Sequence, residues 1–313
     1  MAKIITITLN TAIDKILRVD NFTAGEVYKT LHDESYPAGK GVNVSRALSC
    51  MGERSVALGF VGRNDASYFD SIRTEFLHTD WTLIEGNTRT NITICDPQAH
   101  TETHIRVGSN CTDEQSYQDL LAKLARTFAE GDVVVFSGSL PQHLTTEQFC
   151  RLIGEAQRLG GRVVVDSSAA GLADALKMSP TLIKPNRKEL AEILHRPLTT
   201  IEEINHASKQ LADQFKIDYV CVSMGEEGVV GYDRLAGRSY HANLKLEATE
   251  ELHTVGSGDS MVAGLSAALL RGEPLQEMLR EGVACGVANL LTTAPGVISP
   301  TQQRAFKQQI TIA

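Results

Sequence analysis

Hydrophobic and polar positions change their spacing several times along this chain. Residues 3–9 form a continuous β-prone run, Lys-Ile-Ile-Thr-Ile-Thr-Leu, which is typical of a strand buried on both faces of a parallel sheet. A second run of this kind spans residues 55–62. Between it and the next β-prone segment we predict a helix over residues 66–78.

From Asp113 onward, predicted helices and strands alternate regularly. The helices cover 113–129, 145–159, 169–178, 186–195 and 200–215, and the strands cover 132–137, 162–166, 181–184 and 218–223. A β-like segment at 229–241 and helices near 259–271, 274–292 and 301–309 complete the series. This order predicts an α/β fold with a doubly wound, mainly parallel sheet flanked by helices.

A second, smaller sheet is predicted from two polar stretches. Residues 17–36 alternate loosely, and several short β-prone pieces lie between about Trp81 and Val107 with no helix between them. A local all-β region of this kind favours a separate small sheet. We therefore expect one domain over residues 1–313, with a small β lid inserted from about 15–36 and 86–108.

Composition narrows the possible partners. The chain has 313 residues, 42% hydrophobic and 22% charged, with a net charge of −8 and no dense run of lysine or arginine. This argues against nucleic acid or an anionic membrane surface as a partner. Six cysteines lie scattered without a Cys-x-x-Cys pair, the first residues read as a strand, and no apolar run approaches transmembrane length. We expect a cytoplasmic protein with reduced thiols.

The strongest chemical signal is the stretch from His253 to Gly264. Gly256 and Gly258 precede a carboxylate, Asp259, and an apolar run with helical spacing follows. This pattern predicts a loop that turns into a helix, whose first amides suit a phosphate or a developing oxyanion. Asp259 would then stand where a general base meets a substrate hydroxyl. The alternative interpretation is an ordinary helix start after a glycine-rich turn.

Other polar residues follow predicted strands or open predicted helices, and each has an ordinary structural interpretation. Asp14 follows the first strand, and a glycine-rich loop carries Lys40 and Asn43 into a helix without the spacing of a Walker A motif. Lys40 and Arg89 are alternatively solvated surface charges. Asp166 and the segment 137–139 are alternatively turn residues, and Asn186 with Glu189 is alternatively a helix cap.

Five motifs together resemble the ribokinase/PfkB family of carbohydrate kinases, and within it the kinases of hexose phosphates. These are Ala-Gly-Lys-Gly-Val-Asn-Val (38–44), Ser-Gly-Ser-Leu-Pro (137–141), Lys-Pro-Asn-Arg-Lys-Glu-Leu (184–190), Ser-Met-Gly-Glu-Glu-Gly (223–228) and Thr-Val-Gly-Ser-Gly-Asp-Ser (254–260). The resemblance implies ATP as phosphoryl donor, Mg²⁺ as cofactor and a homodimer formed through the lid. It favours fructose 1-phosphate as acceptor and leaves fructose 6-phosphate and tagatose 6-phosphate open.

The resemblance also implies roles for individual residues. Asp259 would be the base, with the amides of Val255, Gly256, Ser257 and Gly258 as the anion hole. The sugar phosphate would be held by Asp14, Gly39, Lys40, Asn43, Arg89 and Ser139, with Arg89 and Lys40 at its phosphate. The nucleotide would lie along Lys184, Asn186, Ser223, Gly225, Gly228, Thr254, Val255, Gly256, Gly258 and Asn289. Mg²⁺ would be held by Asp166, Asn186 and Glu189.

The sequence departs from the family pattern at two places, and two other classes of protein remain to be considered. His253 stands where the family often has an aspartate that helps to hold a monovalent cation, which weakens the expectation of activation by K⁺. The first strand is followed by Leu-Asn-Thr rather than Leu-Asn-Pro. A catalytically silent sugar-phosphate sensor is the main alternative. A nucleotide-dependent dehydrogenase is disfavoured because no Gly-x-Gly-x-x-Gly follows the first strand.

Overall fold

The computed structural model describes residues 2–30, 33–246 and 252–313, except for the side chains of Ala169 and Ala170. Within these residues it contains a large sheet of ten strands and a small sheet of four. The strands are β1 (Ile4–Thr8), β2 (Ala12–Arg18), β3 (Asp33–Ala38), β4 (Ser55–Gly62), β5 (Leu77–Ile84), β6 (Thr90–Asp96), β7 (Thr101–Arg106), β8 (Val133–Ser137), β9 (Arg162–Asp166), β10 (Leu182–Ile183), β11 (Tyr219–Ser223), β12 (Val229–Asp233), β13 (Arg238–Asn243) and β14 (Thr311–Ile312).

The large sheet has the order β14-β13-β12-β11-β10-β9-β8-β1-β4-β5. From β11 to β5 all neighbouring strands are parallel, and β12, β13 and β14 extend the sheet in antiparallel fashion. The predicted doubly wound, mainly parallel sheet is confirmed. The β-like segment predicted at 229–241 forms most of this antiparallel extension.

Helices cover both faces of the large sheet. They are α1 (Lys40–Cys50), α2 (Ala66–Asp70), α3 (Glu114–Thr127), α4 (Thr146–Arg158), α5 (Ala169–Ala175), α6 (Arg187–Leu194), α7 (Ile201–Phe215), α8 (Ser257–Leu270), α9 (Leu275–Leu290) and α10 (Pro300–Gln309). Helices α3 to α7 pack on one face, whereas α1, α2, α8, α9 and α10 lie on the other side.

The central strands supply side chains to both layers of the core. In β8, Val134 and Phe136 pack on the side of α3 to α7, while Val133 and Val135 pack on the side of α8 and α9. Because successive side chains of a strand point to opposite faces, a sheet covered on both sides needs apolar residues at every position. This is why the central strands read as continuous apolar runs in the sequence.

The small sheet has the order β3-β2-β6-β7 and stands apart from the large one. Strand β2 pairs antiparallel with β3 and parallel with β6, and β6 pairs antiparallel with β7. Every residue of β7 is exposed. The predicted second small sheet is confirmed, although part of the predicted stretch 17–36 (Leu31 and His32) lies outside the described residues.

Two predicted boundaries are wrong. The helix predicted over 66–78 ends at Asp70, and Leu77–Ile84 instead forms β5, the edge strand of the large sheet, paired with β4. The residues from Trp81 to Ile84 therefore belong to the main sheet and not to the small one. Asp14 lies within β2 of the small sheet and not at the end of β1.

Among the described residues, no helix is long and apolar enough to cross a membrane.

Candidate active site

A cluster of polar residues follows the carboxyl ends of the central parallel strands. Ser137 ends β8, Asp166 ends β9, and Lys184 comes directly after β10. The carboxyl ends of neighbouring parallel strands meet at one edge of a sheet, where open α/β folds bind their ligands. Helices α1 and α8 begin at the same edge and bring Lys40 and Asp259 to the cluster.

Asp166 is the anionic centre of this cluster. Its carboxylate is buried and lies 3.4 Å from both Lys40 Nζ (through Oδ2) and Lys184 Nζ (through Oδ1). Ser137 Oγ donates a hydrogen bond to Oδ2 at 3.2 Å. Burial acts to raise the pKa of Asp166, but the two lysines outweigh it and hold that pKa below its ordinary value. The carboxyl is therefore ionised at neutral pH.

Lys184 is almost completely buried, at 4% exposed. Its ammonium forms an ion pair with Asp166 Oδ1 without hydrogen-bond geometry, and Oδ1 receives no hydrogen bond among the described residues. Burying a charged group is costly unless the group is paired and hydrogen-bonded. The Lys184 ammonium has an ion pair but no hydrogen bond to that partner, so it is suited to bind a second anion. Lys40 is more exposed, and the proximity of Asp166 raises its pKa.

Asp259 lies in the first turn of α8, also buried. Asn43 Nδ2, on α1, donates a hydrogen bond of 2.8 Å to Asp259 Oδ2. Burial, with a smaller contribution from Asp166, raises the pKa of Asp259 from 3.8 to about 6, against the opposing effects of Lys40, Asn43 and Lys184. The result is a carboxylate that is ionised at neutral pH and yet considerably more basic than an ordinary aspartate.

The loop before α8 has a conformation that favours glycine. Gly256 has φ of 86°, and a Cβ there would lie 2.8 Å from Pro295 Cα and 2.9 Å from the amide nitrogen of Gly296. The chain then enters α8, where the amides of Gly258 and Asp259 have no carbonyl one turn earlier in the helix. The Ser257 amide closes a turn on the Thr254 carbonyl at 3.3 Å. This is the local structure of an anion-binding helix start.

Asn289, on α9, is hydrogen-bonded to this loop and to the first turn of α8. Its Nδ2 donates to the Val255 carbonyl (3.1 Å), and its Oδ1 accepts from Ser260 Oγ (2.7 Å) and from the Gly296 amide (2.8 Å). The residue has no exposed surface. In this geometry Asn289 positions the loop, whereas Thr254 and Val255 are exposed beside it. Ser257 Oγ donates to the Gly286 carbonyl of α9 and ties the first residue of α8 to the same helix.

The residues predicted to hold a sugar phosphate fall into two groups. Lys40 and Asn43 lie on α1 beside Asp166 and Asp259, whereas Asp14 and Arg89 lie on and beside the small sheet. The charges that act on Lys40 are those of Asp166, Asp259 and Glu189, and those that act on Arg89 are those of Asp14 and Arg106. In the structure Lys40 is paired with Asp166, and Arg89 is bonded to the carbonyls of Asn10 and Thr11.

Arg89 is held against the chain that follows β1. Its Nε donates to the Thr11 carbonyl (3.2 Å) and its Nη2 to the Asn10 carbonyl (3.1 Å). Asp14 accepts a hydrogen bond from Asn91 Nδ2 (2.8 Å), and burial raises the pKa of this carboxyl despite the nearby arginines. Gly39 precedes α1 with φ of 127°, and a Cβ there would lie 2.7 Å from a methyl carbon of the Thr8 side chain.

Asn10 and Asn110 belong to a network that the sequence did not predict. Asn10 Nδ2 donates to Ser109 Oγ and Ser139 Oγ, and Asn110 donates to the Thr11 carbonyl and accepts the Arg89 amide. The Asn110 amide in turn donates to Asn10 Oδ1 at 3.2 Å. Most of these hydrogen bonds join residues about 100 or more positions apart, so no local pattern marks them. They fix both Arg89 and Ser139 relative to the end of β1.

Asn186 and Glu189 form a capping box at the start of α6. Asn186 Oδ1 accepts the Glu189 amide (2.8 Å), and Glu189 Oε2 accepts the Asn186 amide (2.9 Å). Asp166, the third residue predicted as a metal ligand, ends β9, the strand beside β10. The described parts of the chain contain no group of three or more His, Cys, Asp or Glu side chains arranged to hold a metal ion.

The segment from Ser223 to Gly228 turns sharply after β11. Gly225 and Gly228 have φ of 63° and 85°, and a Cβ on Gly228 would lie 2.2 Å from the Ala242 carbonyl oxygen. Ser223 pairs with Asn186 through an isolated bridge, in which the Ser223 amide donates to the Pro185 carbonyl. This contact places the turn beside the start of α6. The two segments therefore lie side by side, and the start of α6 is close to Lys184 in the sequence.

The fold is similar to those of solved sugar kinases. Phosphofructokinase-2 from Escherichia coli, solved in complex with potassium, superposes with a TM-score of 0.91 at 26% identity, over 98% of this chain and 99% of that structure. Ribokinase from Arabidopsis thaliana, solved with ribose and ATP, has a TM-score of 0.76 at 14% identity, over 98% and 99% of the two chains. The second likeness concerns the fold alone.

Residues 1–304 match the model of the pfkB family of carbohydrate kinases, and the chain belongs to this family. The 1-phosphofructokinase of Bacillus subtilis (strain 168) is 33% identical over 309 residues, covering 98% of this chain and 99% of the relative. A tagatose-6-phosphate kinase of Staphylococcus epidermidis is 32% identical over 310 residues, covering 97% and 98%. This protein is an ATP-dependent sugar-phosphate kinase.

Proposed function

We propose that this kinase transfers the terminal phosphoryl group of ATP to a free primary hydroxyl of a ketohexose monophosphate. The preferred acceptor is fructose 1-phosphate, which would give fructose 1,6-bisphosphate. The observation that carries the proposal is the buried Asp259 carboxylate, held by Asn43 beside the cationic pair of Lys40 and Lys184. Relatives named 1-phosphofructokinase and tagatose-6-phosphate kinase, matched over nearly the whole chain, support this class of acceptor.

In this proposal Asp259 is the general base. The hydrogen bond from Asn43 occupies Oδ2, which leaves Oδ1 for the attacking hydroxyl of the sugar. A base performs best when its pKa lies near the working pH, and burial brings the pKa of Asp259 to about 6. The proton of the hydroxyl passes to this carboxylate as the oxygen attacks the phosphorus atom in line with the leaving ADP oxygen.

In this proposal, backbone amides and lysine side chains in fixed positions stabilise the negative charge on the phosphoryl group in transfer. The free amides at the start of α8 and the dipole of that helix act on one side. Lys40 and Lys184 act on the other side, where Asp166 holds both ammonium groups in place. Phosphoryl transfer depends mainly on such positioning and charge stabilisation. In this proposal, the segment 223–228 and the exposed residues 254–255 lie along the nucleotide.

The residues beside the proposed nucleotide site fit a Mg²⁺ ion that arrives with ATP better than a metal held by the protein alone. Protein Mg²⁺ sites commonly use one or two carboxylates together with substrate phosphates and water. Glu189 uses only Oε2 in the helix cap, and Asp166 Oδ1 is buried without a hydrogen bond. These two oxygens would hold the metal, directly or through water. When bound, it would neutralise charge on the transferring phosphates.

We further propose that two copies of the chain associate through the small sheet. All of β7 is exposed, and Ile105 and Val107 at its end are 46% and 49% exposed. An exposed sheet with apolar side chains favours burial against another protein surface. Size-exclusion chromatography with light scattering tests this: the wild type should have the mass of a dimer, and Ile105→Glu should shift it towards the monomer.

The acceptor is tested with a panel of sugars and Mg·ATP, measuring ADP release. Fructose 1-phosphate should give the highest kcat/KM, ahead of fructose 6-phosphate, tagatose 6-phosphate and free fructose. A maximum with tagatose 6-phosphate would replace the acceptor, and the relative of that name favours it as the second candidate. Binding of sugar phosphate without turnover would indicate a sensor. Turnover of unphosphorylated sugars alone would overturn the proposal.

A further inference from the structure

A row of polar side chains crosses the small sheet. Asp14 on β2 is the register partner of Asn91 on β6, and Asn91 is the partner of Arg106 on β7. Side chains directly opposite each other on neighbouring strands project from the same face. The hydrogen bond from Asn91 Nδ2 to Asp14 Oδ1 demonstrates this for the first pair. The face that carries Asp14 therefore also carries Arg106.

Arg89 is directed to the same region. It lies two residues before Asn91, and residues two apart along an extended chain share a face. Its hydrogen bonds to the carbonyls of Asn10 and Thr11 use Nε and Nη2. An arginine has five N–H donors in a fixed fork, so most of the donors of Arg89 remain for a ligand. The two backbone contacts hold the guanidinium in a defined orientation.

The positive charge around Asp14 exceeds the negative charge. Arg46, Arg89 and Arg106 all act electrostatically on this carboxyl. The pKa of Arg89 is lowered, mainly by burial and in part by the charge of Arg106. The two guanidinium groups therefore repel each other. Arg106 is exposed and forms no ion pair in the described ranges 2–30, 33–246 and 252–313. Three guanidinium groups and one carboxylate leave an excess of about two positive charges, in a chain whose net charge is −8.

Arg46 is committed to the protein itself. Its Nη1 donates to the Pro295 carbonyl at 3.3 Å, and its Nη2 donates to the Pro37 carbonyl. Lys40 forms an ion pair with Asp166. Both end nitrogens of Arg46 are thus used, whereas Nη1 of Arg89 and the whole guanidinium of Arg106 have no acceptor among the described residues.

We propose that Arg106 is a specificity-determining residue, which together with Arg89 binds the phosphate that the sugar already carries. This inference rests on the proposed function and identifies the groups that select a phosphorylated acceptor. A phosphate monoester carries a charge of about −1.5 to −2 at neutral pH, which matches the excess on this face. The planar fork of arginine suits the geometry of phosphate oxygens better than an ammonium does.

The test compares Arg106→Gln with Arg106→Lys and with a matched control, Arg18→Gln. Arg18 is an exposed arginine at the far end of β2, on the same sheet. Loss of a charge-assisted bidentate contact typically weakens binding roughly ten- to a hundredfold. Arg106→Gln should raise the KM for the sugar phosphate by this factor, with kcat and the KM for ATP within about twofold of wild type. Arg106→Lys should recover part of the loss, and Arg18→Gln should behave as wild type.

A binding measurement separates this inference from the proposed function. Calorimetry with fructose 1-phosphate and with free fructose, on proteins that also carry Asp259→Asn, reports affinity without turnover. The inference predicts that Arg106→Gln weakens only the binding of the phosphorylated sugar. Equal weakening for both sugars, or none for either, would overturn the role of Arg106. If the protein with intact Arg106 does not prefer phosphorylated to free sugars, the proposed function itself fails, whatever the Arg106 variants do.

Discussion

Replacing Asp259 with asparagine removes a proton acceptor and also a buried negative charge, and the two losses have opposite consequences. The amide is nearly isosteric with the carboxylate, and its oxygen can still accept the hydrogen bond from Asn43 Nδ2. General-base catalysis by a positioned side chain contributes typically 10²–10⁴-fold. We therefore expect kcat to fall by about two to four orders of magnitude while ATP binding is kept.

The same substitution should stabilise the fold. Burial raises the pKa of Asp259 from 3.8 to about 6, a shift of about two units, and each unit corresponds to 1.36 kcal/mol. The folded state binds this proton more tightly than the unfolded state, so its ionisation lowers the free energy of unfolding as the pH rises through 4 to 6. At pH 7 the variant should gain up to about 3 kcal/mol over wild type. That gain should shrink as the pH falls through 6 and vanish below about 4.

Two assays are needed, on the same preparations. Steady-state kinetics and calorimetry with ATP give turnover and nucleotide affinity, and urea unfolding at pH 7 and pH 4.5 gives the free energies of unfolding. Asp259→Ala is the control for shape, since it also removes the charge but leaves Asn43 without its acceptor. Near-wild-type turnover of the asparagine variant would remove Asp259 from the mechanism. An unchanged free energy of unfolding at both pH values would refute the argument from burial.

Three further outcomes are expected. Arg89→Ala should raise the KM for fructose 1-phosphate roughly ten- to a hundredfold and leave that for ATP unchanged; equal losses on free fructose would assign Arg89 to supporting the carbonyls of Asn10 and Thr11. Glu189→Gln keeps a cap-forming side chain but should raise the Mg²⁺ concentration that gives half-maximal rate; an unchanged requirement would leave Glu189 as a capping residue only. The wild-type kcat/KM should fall about tenfold per pH unit below about 6, as Asp259 becomes protonated; a flat profile between pH 5 and 7 would exclude that base.

The large sheet could be predicted from the sequence because its strands are buried on both faces. A continuous apolar run such as residues 3–9 has few other stable environments in a soluble protein. The stretch 66–78 was predicted wrongly because its local pattern conflicts with its tertiary environment. Leu77–Ile84 alternates buried and exposed positions at an edge of the sheet and pairs with β4 along its whole length, and this pairing overrides the helical preference of the preceding residues.

Residue types within motifs were predictable, but their partners were not. The motif around Asp259 marks a helix start, and the structure shows one at Ser257. The hydrogen bond from Asn43 joins residues 216 positions apart, and the contacts of Asn10 with Ser109 and Ser139 span 99 and 129. Contacts of this kind depend on the register of the sheet and the packing of α1 against α8. No local spacing encodes them.

Lys40 illustrates how such contacts change a functional interpretation. The motif Ala-Gly-Lys-Gly resembles a sugar-phosphate site, and on that ground Lys40 was expected to meet the resident phosphate together with Arg89. In the structure Lys40 pairs with Asp166, next to Asp259 and Lys184. The positive charge then forms two groups, Lys40 and Lys184 around Asp166 and Arg89 and Arg106 on and beside the small sheet. A ketohexose bisphosphate carries a phosphate at each end, and a site that forms one from a monophosphate needs a cationic group for each. The proposed reaction therefore assigns the lysines to the phosphoryl group in transfer and the arginines to the phosphate already present, so that loss of an arginine should change the KM for the acceptor and loss of a lysine should change kcat.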